Sequence, residues 1–375
     1  MQQTAGQTAV PFLDLGPSHA ALKQVVLEEI GELLESGAFT NGPAVMRFEE
    51  AFAAYCGVDH CVGVASGLDA LRLGLLATGL EPGDEVVVPA ATFVATLEAV
   101  TQAGGVPVVA DVSADDYCLD PAAASAATGP RTRALLPVHL YGQMADMRAL
   151  AALAERRGLT VLEDACQAHG AERDGLRAGS AGRAAAFSFY PGKNLGAAGD
   201  AGGFVSNDGD AAARVRALRE HGQTAKYVHA LEGWTARLDT IQAIVLSQKL
   251  PLLDGWNAQR RLAAAYLSDG LAGVGDLRLP PLASGSAPVW HLYVVRTADP
   301  TALAVFLRER GIGTGRHYPD PVHLTEAYAH LGYERGEFPV AEALSRECLS
   351  LPIFPGIDEA QLAAVVDGVR SFFDG

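Results

Sequence analysis

Residues 184–196 read AAAFSFYPGKNLG, an apolar strand running into a turn that sets Lys193 between Gly192 and Asn194. Residues 160–170, TVLEDACQAHG, have the same form: an apolar strand that ends at a carboxylate, Asp164. Side chains just past such strands gather at the edge where open α/β sheets bind ligands. An amine able to form a Schiff base and a carboxylate able to hold a pyridinium nitrogen are what pyridoxal phosphate (PLP) asks of a protein. On this reading Lys193 carries the aldehyde of the cofactor. Asp164 keeps the ring nitrogen protonated, so that the ring accepts electrons from a carbanion.

The pattern extends in both directions. Residues 62–64 form a short strand, and Ser66-Gly67 opens a helix with Leu68, Leu71 and Leu75 on one face. Further strands are expected at 85–88, 106–110, 134–138, 160–162, 184–187 and 203–206, with helices at 94–102 and 147–157. Short apolar strands alternating with helices predict an α/β fold. Its core is a mainly parallel seven-stranded sheet flanked by helices. The chain changes character near residue 240. Helical stretches at 240–250 and 257–267 lead to a Gly/Pro/Ser-rich connection at 270–287. A strand at 291–296, a helix at 301–310, a strand at 312–316 and a helix at 359–373 follow. This predicts a large domain over 1–240 and a smaller C-terminal α+β domain over 241–375.

The net charge of −16 over 375 residues argues against an extended nucleic-acid surface. It still allows an anion to bind at a local cluster of backbone amides. No apolar run is long and pure enough to span a bilayer. The N-terminal residues lack the basic start and apolar core of a signal peptide. The five cysteines are scattered without metal-like pairing, which fits reduced thiols in a cytoplasmic protein.

Other residues carry a functional and an ordinary reading side by side. Asp164 alone suits a helix N-cap; the lysine motif downstream turns the balance toward a cofactor partner. Gln167, three residues on, suits the phenolic oxygen of the ring or simply solvent. Ser66, Gly67 and the Leu68 amide form a helix start that binds a phosphate or merely caps the helix. Ser188 adds a hydroxyl to the same phosphate. Phe93 stacks on the ring or fills the core, and His169 reads as a core histidine. Tyr190 lies close to the reacting carbon, because Tyr190-Pro191-Gly192 leads directly into Lys193. His317 and Tyr318 suit a substrate pocket. No carboxylate or cysteine joins His317 and His323 in a recognisable ligand set, so no metal is expected.

In order along the chain, these motifs resemble those of the nucleotide-sugar aminotransferases of the DegT family, PLP enzymes of fold type I. The resemblance starts at Pro11-Phe12-Leu13-Asp14-Leu15. It runs through Ser66–Leu71, the Asp164 cluster, Phe187–Gly196 and Arg237-Leu238-Asp239 to His317-Tyr318-Pro319. Tyr190–Gly196, Tyr141-Gly142-Gln143 and Gly67-Leu68-Asp69 look most like the branch that aminates C-3 of dTDP-linked 3-keto-6-deoxyhexoses. The resemblance implies that Lys193 is the Schiff-base lysine and proton shuttle, with Asp164 on the ring nitrogen and Gln167 on the ring oxygen. It places Ser188 and the Gly67 and Leu68 amides on the phosphate. It also implies glutamate as amino donor, pyridoxamine phosphate as the other cofactor form, and a homodimer with shared active sites. In this family the partner usually lends an asparagine to the phosphate; here that position is Thr235, a shorter side chain that reaches only if the loop moves closer or a water bridges. The rivals are a C-4 aminotransferase, a sugar dehydratase and a non-catalytic PLP-binding regulator. In the dehydratase branch histidine replaces the lysine, so Lys193 argues against it.

Overall fold

The computed structural model describes residues 9–375; the signal-peptide expectation falls largely on residues 1–8, outside that range. Seven strands form the central sheet: β1 (His60–Val64), β2 (Glu85–Pro89), β3 (Val106–Ala110), β4 (Thr132–Leu135), β5 (Thr160–Asp164), β6 (Ala184–Ser188) and β7 (Gly202–Ser206). Their spatial order is β1-β7-β6-β5-β4-β2-β3. Strand β7 runs antiparallel to both neighbours, and the remaining pairings are parallel. The mainly parallel sheet expected from the sequence is therefore present. Its strands are largely apolar because helices cover both faces; Val86, Val87, Val88 and Ala184 through Phe187 are all buried.

The antiparallel return from β6 to β7 sets the position of the lysine. The connecting loop is pinned at its base by Phe189 N–H donating to Ala201 O and Ala197 N–H donating to Phe189 O, at 2.8 and 2.7 Å. Lys193 is thus held at the carboxyl edge of β6, beside the end of β5. The helix Gly67–Ala77 starts over the same edge and lies against β6 and β7. A Cβ at Gly67 would stand 2.7 Å from Ser188 Cβ and 2.9 Å from Cys166 Sγ. Glycine there brings the helix start down onto the sheet edge.

Two apolar cores result. The first runs through the sheet, through the helix Thr240–Lys249 to Leu253, and on to Val289, Leu292, Val294 and a group from Val322 to Cys348. The second gathers Ala263, Leu267 and Leu271, the antiparallel pair β8 (Tyr293–Arg296) and β9 (Cys348–Leu351), and the helix Glu359–Asp374. Val10 belongs to this second core. The strand expected at 312–316 is absent. Ile312 and Gly315 make only isolated bridges, to Val10 and to Ser350. Glycines at 311, 313 and 315 leave this segment little side-chain surface to hold in a sheet. Strand β4 ends before Pro137, which cannot donate to a ladder. Among the described residues, no helix is long and apolar enough to cross a membrane.

Candidate active site

The ends of β5 and β6, the start of the helix Gly67–Ala77 and residues 317–318 enclose a cavity of about 550 Å³. Every residue to which the sequence reading gave a catalytic, cofactor or substrate role, except Thr235, lines it. Thr235 is exposed and forms an isolated antiparallel bridge with Glu220, next to the hairpin formed by Gln223–Ala225 and Val228–His229. Its hydroxyl lies 3.0 Å from His221 Nε2.

Asp164 is the last residue of β5, and a turn follows it rather than a helix, so it caps nothing. Its Oδ2 accepts from the Thr96 hydroxyl at 2.8 Å and its Oδ1 from Cys166 N–H at 3.2 Å. Glu163 points to the opposite face, as strand alternation requires. There it lies 2.8 Å from His139 Nε2 and accepts from the amides of Gly179, Ala181 and Gly182. Lys193 shares the cavity wall with Asp164. Burial pushes its ammonium below the ordinary lysine range, while the thiol of Cys166 and the carboxylate of Asp164 work the other way. An amine held in this way is more often uncharged, which nucleophilic attack requires.

Gln167 is buried rather than solvent-facing. Its Oε1 accepts from Tyr141 N–H at 2.8 Å, and its Nε2 donates to the Tyr318 hydroxyl at 3.1 Å. The first bond fixes which end of the amide faces the cavity. Phe93 is half exposed, standing in the cavity rather than the core, and its ring lies 5.4 Å from that of Tyr318. Ser66 does cap its helix, accepting from Asp69 N–H at 3.0 Å. The amides of Gly67 and Leu68 remain at the open helix end, where the positive end of the helix dipole favours an anion. Ser188 stands directly beside them.

His317 Nδ1 lies 2.8 Å from Ser350 Oγ, and its ring stacks on Phe12 at 5.5 Å. Burial, helped by the nearby charge of Lys193, pushes it down to about 4, so it is neutral at physiological pH. Burial raises the Tyr318 phenol, which keeps its proton. Tyr190 is exposed at the mouth, and its carbonyl accepts from Lys193 N–H at 2.9 Å. His169 is a core histidine: fully buried, Nε2 2.9 Å from Ser188 O, and pushed down to about 3 chiefly by burial. His323 does not line the cavity and lies 3.3 Å from Glu342. Among the described residues, no group of three His, Cys, Asp or Glu side chains is placed to hold a metal.

Sequence reading missed several lining residues: Thr92, Thr96, His291 and, from the N-terminal segment, Phe12 and Leu13. The two threonines flank Phe93 at a spacing of four residues, a signal that was legible once Phe93 was placed at the sheet edge.

The fold and this set of donors define an aminotransferase of fold type I. The chain belongs to the DegT/DnrJ/EryC1/StrS aminotransferase family, whose model matches residues 21–370. It is 48% identical over 373 residues to dTDP-3-amino-3,4,6-trideoxy-alpha-D-glucose transaminase of Streptomyces venezuelae, covering 99% of this chain and 98% of that one. Among solved structures it matches DesV of S. venezuelae with a TM-score of 0.96 at 48% identity, covering 98% of this chain and 99% of that chain. It also matches NtdA from Bacillus subtilis, solved with bound cofactor PMP. There the TM-score is 0.92 at 30% identity, covering 100% of this chain and 87% of that chain.

Proposed function

We propose that this chain is a PLP-dependent transaminase that moves the amino group of L-glutamate to the C-3 ketone of a dTDP-linked 3-keto-6-deoxyhexose. The observation that carries this reading is the convergence of the Lys193 amine, the Asp164 carboxylate and an open helix end on one cavity. The 3-amino sugar in the name of the S. venezuelae relative supports C-3 as the position of transfer.

PLP, when bound, supplies an electrophilic aldehyde and an electron-accepting ring. The chain supplies the rest. Lys193 would provide the amine for the aldehyde and a base and acid for moving a proton. Asp164 holds the proton on the ring nitrogen and acts electronically rather than as a base. The cavity-facing amide end of Gln167 suits the phenolic oxygen. Ser188 and the Gly67 and Leu68 amides suit the phosphate, and Phe93 offers a ring face. Tyr190, His317 and Tyr318 suit the hexose, and the apolar walls Leu68, Leu71, Leu292 and Ile353 suit the exclusion of water. The division into domains 1–240 and 241–375 is part of the same proposal.

A homodimer with shared sites belongs to it as well. The helices Lys23–Ser36, Pro43–Cys56 and Thr240–Lys249 pack together yet leave Leu27, Leu34, Met46 and Ile241 exposed. Apolar surface of this kind on adjoining elements suits a second copy. Thr235 is exposed on the bridge to Glu220, where a neighbouring chain could meet it. Sedimentation should therefore give a dimer, and a fully active monomer would contradict it. The test of the activity itself is transfer of a labelled amine from glutamate to a panel of nucleotide-linked ketosugars.

A further inference from the structure

Asp164 is only 5% exposed, and an ionised carboxylate at that depth needs donors. The protein supplies two, Cys166 N–H on Oδ1 at 3.2 Å and the Thr96 hydroxyl on Oδ2 at 2.8 Å. Behind Thr96 lies Thr92, the two hydroxyl oxygens 2.7 Å apart. An ionised carboxylate can only accept, so the one hydroxyl hydrogen of Thr96 is committed to Asp164. Thr92 must then donate to Thr96. The hydrogen bonds therefore run in one direction, from Thr92 to Thr96 to Asp164, and such chains strengthen each member by polarisation. Thr92 and Thr96 are as buried as the carboxylate they serve, and all three line the cavity.

Thr297 likewise donates to a carboxylate, Asp276 Oδ1 at 2.6 Å, but it lies outside any helix; threonines further along helices behave differently. Thr78, Thr101 and Thr128 donate to the carbonyls of Gly74, Leu97 and Ala124, four residues back in their own helices. Thr96 sits in the first turn of the helix Ala95–Gln102, where no helical carbonyl lies four residues behind. Its hydroxyl crosses to the end of β5 instead.

We infer that Thr96, supported by Thr92, is a positioning residue that holds the Asp164 carboxylate in place and aims its remaining lone pairs into the cavity. The inference rests on the reading of Asp164 as the partner of the ring nitrogen. The other titratable groups facing Asp164 are Lys193 from the β6–β7 loop, Cys166 from the turn after β5 and Tyr318 from residues 317–318. Glu98, on the helix that carries Thr96, lines the same cavity. All four are unchanged in the variants below, so their influence is common to every comparison.

The experiment is the affinity of the full-length protein for PLP at one near-neutral pH. It is measured for the wild type, Thr96→Val, Thr96→Ser and Thr92→Val, and for Thr96→Val in an Asp164→Ala background, with the melting temperature of each as a control. Valine keeps the shape of threonine and removes the donor. In Thr96→Val the affinity should fall by about tenfold. Thr92→Val should lower it less, and Thr96→Ser should restore it. In the Asp164→Ala background Thr96→Val should cost little more. Unchanged affinity in Thr96→Val, or the same loss with and without Asp164, overturns the inference. Should Thr96→Val fail to fold, a wild-type affinity in Thr92→Val overturns it. A wild type that binds no PLP would instead overturn the underlying reading of Asp164.

Discussion

Replacing Lys193 by alanine is expected to abolish turnover, with a loss of at least about 10⁴-fold, the upper range for removing a positioned acid–base group. The loss should reach that range because one side chain carries two duties. On the proposed reading it would attach the aldehyde and move the proton in each half of the reaction. The fold should survive, since Lys193 makes no ion pair among the described residues and is not packed in either apolar core. Borohydride reduction followed by peptide mapping gives the check. The wild type should yield PLP fixed at Lys193, and the variant none. PLP trapped at another lysine in the variant would remove Lys193 from its assigned place. The pH dependence has a definite sign. The uncharged amine is the active form, and burial places its titration below the ordinary lysine range. Activity limited by free Lys193 should therefore fall as pH drops through that lowered range.

Asp164→Asn should keep the fold and slow the half-reaction with glutamate by a hundredfold or more. An amide oxygen still accepts from Thr96, so the hydrogen bond at 2.8 Å has a substitute. What disappears is the negative charge that holds a proton on the ring nitrogen. Loss of this electron sink raises the barrier by several kcal/mol, each ~1.4 kcal/mol being tenfold in rate. Single-turnover formation of 2-oxoglutarate measures the effect. A variant rate near that of the wild type would show that Asp164 does not stabilise the charged ring.

Much of this was legible in the sequence, for physical reasons that differ from residue to residue. The seven strands announced themselves because strands buried on both faces must be apolar along their whole length, as Val86-Val87-Val88 and Ala184–Phe187 are. Lys193 and Asp164 were legible because each follows such a strand, which places it at the binding edge. The expected strand at 312–316 failed because Gly313 and Gly315, with Gly311 just before them, look extended but bring little to pack. Gln167 was placed in the site, but its bonds to Tyr141 and Tyr318 join segments about 25 and 150 residues away, beyond any local pattern. Phe12 and Leu13 reach the cavity for the same reason. Their segment crosses from the second core, where Val10 is buried, to the lysine loop, and no periodicity encodes that path.

The central claim is amine transfer to a sugar ketone at C-3, and NMR of the product tests it most directly. The holoenzyme is given ¹⁵N-glutamate with dTDP-linked 3-keto- and 4-keto-6-deoxyhexoses and with the free hexoses. Moving the ketone by one ring carbon forces the whole nucleotide to reorient, and orientation of that kind is worth orders of magnitude in rate. The account predicts ¹⁵N at C-3 of the nucleotide-linked sugar and no transfer to free hexoses. Preferential labelling at C-4 would contradict the substrate assignment, and absence of label from every sugar, with no 2-oxoglutarate formed, would contradict the account as a whole.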